Sequence, residues 1–288
     1  MKLERTPSEI ATEIIMYREQ HKGTFLILEG YSDARLFEWI VERNECEMIP
    51  AGGKNNALLA LKILNDKCFS GVLAIIDADF WRLDGMDPEV ENAFMTDTHD
   101  LETLILKSSD CLERHLGEFG NREKLYSSNG SVLEWLFICT RPVGLLRWHC
   151  LRKGEGGISL KKINYMSFVE GYPEGPNLKK MFQTILGQCV KKENRDGIDI
   201  DSLNSELQML LEEDYDPWQV CNGHDMVQVF AIGLKHYFGE SNAKIPHWET
   251  IEGLFRVAYR YEHFQQTNLY RDILKWQEEN QPYTVLKS

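Results

Sequence analysis

Thr24-Phe25-Leu26-Ile27-Leu28-Glu29-Gly30-Tyr31-Ser32-Asp33 decides how this chain is read. The first five residues are a short, continuous apolar run, the pattern of a strand buried on both faces rather than on one. Glu29 follows the run directly, and Gly30 allows a tight turn into a helix. Ser32 is the expected cap of that helix, Asp33 is favourable in its first turn, and Leu36, Phe37, Ile40 and Val41 give it an apolar stripe. A second run of the same kind, Val72-Leu73-Ala74-Ile75-Ile76, also ends in acids, Asp77-Ala78-Asp79. Around these two runs the patterning predicts a helix over 7–20, a strand over 47–50, a turn at Ala51-Gly52-Gly53-Lys54 and a helix over 56–64. A strand over 93–96 and a helix over 100–107 follow. Strands alternating with helices at these lengths require right-handed crossovers, so the expected fold class is α/β, a mostly parallel sheet flanked by helices.

Beyond about residue 110 the rhythm changes. Helical periodicity covers 131–140, 177–191, 201–213, 224–238, 247–262 and 268–279, with Gly- and Pro-containing breaks at 154–157, 171–176 and 216–217. The expected organisation is an α/β core over 1–110 and a largely helical C-terminal part over 111–288.

Composition sets outer bounds. The 288 residues are 43% hydrophobic and 27% charged, which excludes a mainly disordered or fibrous chain. A net charge of −13 argues against nonspecific coating of nucleic acid, but the charge is uneven. Between Arg141 and Lys192 ten Lys or Arg stand against three Asp or Glu, so Arg147, Arg152, Lys153, Lys161 and Lys162 form a candidate phosphate-facing strip. The seven cysteines show no C-x-x-C pair and the eight histidines no H-E-x-x-H, so reduced thiols and no zinc are expected. No apolar run reaches the roughly 20 residues of a membrane span, and the N-terminal residues do not read as a signal peptide, so a cytoplasmic protein is expected.

Two buried strands that both end in acids bring Glu29, Asp77 and Asp79 towards one crevice if the strands are neighbours. Open α/β sheets build their sites at the carboxyl ends of strands. Carboxylates so close repel one another unless a proton or a cation intervenes, and hard oxygen donors select Mg2+ or Mn2+ over zinc. Such ions serve phosphoryl chemistry. Gly52-Gly53-Lys54 does not make a Walker A loop, because Met48 stands where its first glycine would be and Asn55 follows the lysine. The string Asn222-Gly223-His224-Asp225 reads as a helix start, with a catalytic histidine as the alternative, and the aromatic-rich end over 248–276 reads as helix packing.

The order Glu-Gly-x-x-Asp, then Gly-Gly-Lys, then Asp-x-Asp resembles the Toprim domain, the metal-binding fold of topoisomerases, primases and OLD-type nucleases. Thr98-His99-Asp100-Leu101-Glu102 and Asn222-Gly223-His224-Asp225 resemble the DUF4435 branch, a Toprim core with helical additions. Within that branch, length and acid order resemble the nuclease effectors of PARIS-type anti-phage systems. The resemblance implies that Glu29, Asp77 and Asp79 bind Mg2+ or act in catalysis, with Asp33 and Glu102 completing the metal set. It implies that Lys54 stabilises charge on the phosphate. It further implies an RNA substrate, tRNA above all, an ABC-type ATPase partner that holds the nuclease silent, and a homodimer once the nuclease is released. A DNA nuclease of the OLD type and a regulated binding subunit of an ATPase are the competing expectations.

Overall fold

The computed structural model describes residues 5–108, 110–128, 130–154, 160, 163–188 and 199–287. The chain forms two compact units. One comprises the residues up to Leu104 together with the segment from Arg256 onward, and the other runs from Ile105 to Phe255.

The first unit is built on four parallel strands, β1 (Thr24–Leu28), β2 (Cys46–Pro50), β3 (Val72–Ile76) and β4 (Ala93–Met95), in the order β2-β1-β3-β4. All five residues of β1 and of β3 are buried, as their unbroken apolar runs require. The two strands lie side by side in a register that pairs Leu28 with Ile75. The residues after both therefore emerge together at the centre of the sheet's carboxyl edge.

Helix α1 (Pro7–Tyr17) precedes β1, α2 (Tyr31–Phe37) and α3 (Lys54–Asp66) lie in the β1–β2 and β2–β3 connections, and α4 (Leu101–Lys107) follows β4. Thr6 and Glu9 form a reciprocal cap on α1, in which the Glu9 N–H donates to the Thr6 hydroxyl and the Thr6 N–H donates to the Glu9 carboxylate at 2.7 Å. Ile10 and Ile14 of α1 and Leu61 and Leu64 of α3 then pack with Phe25, Ile27, Val72 and Ala74, which lie two apart on their strands and share a sheet face. Helix α2 starts one residue before the expected cap. Its N-cap is Gly30, whose N–H is held by the Asp33 carboxylate at 2.8 Å, while Ser32 sits inside the helix and donates its hydroxyl to Asp33. A carboxylate reaching back from the third helical position does the capping expected of the serine.

The second unit holds α5 (Cys111–Phe119), α6 (Arg122–Ser127), α7 (Val132–Lys153), α8 (Leu178–Gln188), α9 (Ile200–Glu212), α10 (Pro217–Val220), α11 (Gly223–Gly233) and most of α12 (Trp248–Ala258). A π turn, Leu234–Phe238, extends α11. Helix α7 continues 13 residues past the expected end at 140, straight through Pro142. A proline removes a single bond to the carbonyl four residues back, and burial of Trp135, Leu136, Cys139, Val143 and Leu146 along the helix outweighs that loss. Gly144 is required here, since a Cβ would lie 2.3 Å from the Val220 carbonyl oxygen.

Helices α13 (Tyr261–Phe264) and α14 (Asn268–Glu279) return to the sheet unit. The Asp97 carboxylate accepts the N–H groups of Asn268 and Leu269, the Trp276 indole donates to Asn92, and Leu286 bridges antiparallel to Val41. The sequence boundary near 110 therefore changes: the last part of the expected C-terminal helical region completes the α/β unit. Six cysteines among the described residues are free thiols, and among those residues no helix is long and apolar enough to cross a membrane.

Candidate metal and phosphate site

At the carboxyl end of β1 the chain turns through Glu29-Gly30 into α2. The Glu29 carbonyl accepts the N–H groups of Gly52 and Gly53 at 2.8 and 2.9 Å, which fixes the Gly-Gly turn beside it. Both glycines have positive φ, 82° and 135°, a conformation that other residues rarely adopt. That turn launches α3 with Lys54 as its first residue. Each element of the Glu29 and Gly-Gly-Lys pattern thus has a backbone reason for its position.

The carboxylates converge in this crevice by three routes. The Glu29 side chain crosses from β1 to β3, where Oε1 accepts the Asp77 N–H at 2.9 Å. Asp77 itself accepts the Leu101 N–H at 3.2 Å, tying β3 to the start of α4. Asp79 is turned away from Asp77 by a left-handed backbone, φ 46°, and its N–H donates to the His99 carbonyl at 2.7 Å. Aspartate tolerates this conformation better than most residues. Two residues apart, Asp77 and Asp79 would point to the same side of an extended chain, and the left-handed turn at Asp79 separates them. Asp79 meets the Lys54 ammonium in a short ion pair, with the His99 ring 4.0 Å away, while Asp77 faces Glu29, Asp100 and Glu102.

Electrostatics in the crevice follow from this packing. Burial raises the Glu29 carboxyl to about 7, and Asp79 and Asp33 push the same way. The Asp77 N–H and Lys54 oppose them. Burial likewise holds Asp77 well above the ordinary carboxylate range, with Asp100, Glu29, Glu102 and Asp33 all adding to the effect. Glu102, in the first turn of α4, is buried and lies 3.3 Å from the Arg256 guanidinium. All the donors are hard oxygens, and the acids outnumber Lys54 and Arg256. Hard oxygen donors of this kind suit a divalent cation, although no three of Glu29, Asp33, Asp77, Asp79 and Glu102 bring carboxylate oxygens within 4.8 Å of one another.

Asp100 was not singled out from the sequence, yet it is the largest like-charge neighbour of Asp77. It is buried and caps α4, its carboxylate accepting the Thr103 N–H at 2.8 Å. Asp-x-x-Thr at a helix start signals the cap, but only the pairing of β4 with β3 sets that cap against Asp77.

Arg147 of the candidate basic strip has an internal role. Its guanidinium lies 2.9 Å from the buried Asp225 and donates to the Leu160 carbonyl at 2.7 Å. Arg152 is exposed, 5.0 Å over the Trp148 ring, and Lys153 pairs with Glu206 at 3.2 Å on the surface. Lys161 and Lys162 lie outside the described residues. The Asn222-Gly223-His224-Asp225 string starts α11, with Asn222 as its cap and Asp225 in its first turn. The His224 ring bonds Glu252 at 2.6 Å.

No protein-family model and no curated protein matches the chain.

The metal-free protein should show the crevice in its stability. Glu29 titrates near 7 when folded against 4.5 when unfolded, so the folded state binds the extra proton between those values. Stability should be highest below about pH 4.5 with respect to this group and should fall as pH rises through 7. The change is on the order of 3 kcal/mol as an upper bound. Denaturant melts of wild type and Glu29→Gln in chelator, from pH 5 to 8, check this. The wild-type decline should be reduced in the variant, and parallel curves would show that Glu29 is not held protonated by its surroundings.

Proposed function

We propose that this chain is a Mg2+- or Mn2+-dependent endonuclease of the Toprim kind that hydrolyses RNA phosphodiester bonds, with tRNA as the favoured substrate. The observation that carries the reading is the emergence of Glu29 and Asp77 from adjacent central strands into one crevice, with Lys54 held opposite Asp79. A divalent cation supplies Lewis acidity towards the phosphate and neutralises the carboxylates that gather there.

The remaining steps belong to the chain. Glu29, beside the Asp77 N–H at the strand end, is placed to hold the cation or to take the proton of an attacking water. As the water oxygen bonds to phosphorus, the bond to the departing ribose oxygen breaks and that oxygen takes up a proton from solvent water. Lys54, fixed at the N-terminus of α3, offers its ammonium and the adjoining helix N–H groups to charge developing on the phosphate. Lys54→Met should lower the cleavage rate about a hundredfold. Divalent-ion affinity should change far less, because the lysine is not a ligand. Single-turnover kinetics at saturating Mn2+ separate the two, and a variant that only loses ion affinity would reassign Lys54.

We further propose that the activity serves anti-phage defence as a toxin, held inactive by an ABC-type ATPase partner and dimeric once released, in the cytoplasm. The support is the resemblance in motif order together with the lack of a Walker A loop in this chain. Sequencing new RNA 5′ ends and DNA breaks in cells that express the chain or its Glu29→Ala form tests the substrate assignment. tRNA ends that vanish in the variant support the reading. Breaks confined to DNA would make the enzyme a deoxyribonuclease.

A further inference from the structure

The helical unit carries a cleft of roughly 680 Å³, within the size range of small-molecule sites. One wall is the face of α11 that presents Gln228, Ala231 and Ile232, and another is the turn over Ile163–Met166. The π turn and the chain that follows it to Trp248 close the cleft.

The π turn is built into the packing. A Cβ on Gly233 would lie 2.3 Å from the Phe238 ring, and one on Gly239 would lie 1.9 Å from the Leu234 carbonyl oxygen. Widening a helix by one residue in this way re-aims the side chains that follow, and such turns recur at functional sites. Here Lys235 and His236, both exposed, stand on the cleft wall as a result.

Three features of the lining narrow the ligand. Ile232, Ile245 and Pro246 supply apolar surface in a lining that is otherwise as polar as it is apolar, and the partly buried Trp248 adds an aromatic face, which suits a flat ring system. Gln228 and Asn164 add two carboxamides, and among the described residues no hydrogen bond within the protein uses either side chain. A carboxamide offers donor and acceptor side by side, the complement of a nucleobase edge. Lys124 and Lys235 stand against Glu240 in the lining, with the imidazoles of His236 and His247 beside them. Lys124 also donates to the Gly239 carbonyl at 3.1 Å, and His247 lies 3.6 Å from Glu249, which leaves Lys235 and His236 as the main contacts for an anion.

We propose that this cleft binds a nucleotide. The base lies against Trp248 and the isoleucine wall, Gln228 and Asn164 read its edge, and Lys235 and His236 meet its phosphate. The assignment uses none of the residues of the carboxylate crevice. The ligand can be a free nucleoside phosphate or one unit of an RNA strand, since both present the same chemistry.

The test uses the full chain in chelator, where RNA is not cut. Calorimetric titrations with the four nucleoside monophosphates and with short oligoribonucleotides of the preferred base are compared. A base preference of roughly tenfold or more is expected. Gln228→Leu should erase that preference, while Lys235→Glu should weaken every base alike by about tenfold. A mononucleotide that binds as tightly as the oligomer identifies a free nucleotide ligand. An oligomer that binds at least about tenfold tighter, with the same dependence on Gln228 and Lys235, identifies a strand. No binding of either at millimolar concentration overturns the proposal. So does binding unchanged in both variants when their melting shows them folded. Cleavage is not read, so failure here leaves the nuclease reading untouched, and failure of that reading leaves this one standing.

Discussion

Glu29→Ala and Asp77→Ala are each expected to lower RNA cleavage by about 10³-fold or more, with neither variant unfolding. On the proposed mechanism the rate effect is this large because each removes a carboxylate that holds the cation or takes the proton of the attacking water. The folding effect has the opposite sign to that of most buried substitutions. Asp77 is held well above the usual carboxylate range by burial and by four acidic neighbours, so removing it relieves repulsion in the metal-free protein. Melting without metal at pH 8 should therefore show stability equal to or above wild type. Loss of activity together with collapse of the fold would mean that the acids serve structure through their bonds to the Asp77 and Leu101 N–H groups.

Arg147→Ala is expected to destabilise the helical unit by about 3 kcal/mol or more, because it strands the Asp225 carboxylate without its ion-pair partner. Asp225 is 8% exposed and Arg147 19%, so solvent does little to compensate the loss. The double replacement of Arg147 and Asp225 by apolar residues should recover much of that stability. Exposed Arg152 and Lys153 should behave differently. Replacing both with alanine should leave melting unchanged and raise the RNA concentration for half-maximal rate several-fold at low salt, an effect that fades as salt is added. Urea titrations and steady-state kinetics at two ionic strengths distinguish the two classes. Equal stability of Arg147→Ala and wild type would return Arg147 to the surface strip.

The contrast between Arg147 and Lys153 marks where sequence reading ends. A count of charges over 141–192 registers an excess of base, but not which side chains turn inward, and Asp225 lies 78 residues from Arg147. Strands β1 and β3 were legible to the residue because each buried run is cut off sharply by the acids that follow it. Their acids were legible for the same reason, as the first polar residues after each run. The position of Asp79 at the strand exit was legible, but its direction was not, since the left-handed turn that aims it at Lys54 depends on the His99 carbonyl. Asp100 was legible only as part of the 98–102 string, since its nearness to Asp77 comes from lateral pairing of a three-residue strand. The return of 268–287 to the sheet rests on contacts such as the Thr24 hydroxyl donating to the Thr284 carbonyl at 2.8 Å, 260 residues apart, which no local pattern encodes.

Binding of Mn2+ to the purified chain, followed by electron paramagnetic resonance as the free ion signal is lost, tests the metal site most directly. Saturable binding to wild type is expected, with at least about tenfold weaker binding to Glu29→Gln and to Asp77→Asn and little change in Lys54→Met. Binding that is absent from wild type, or equal in wild type and both carboxamide variants, would contradict the metal-site assignment.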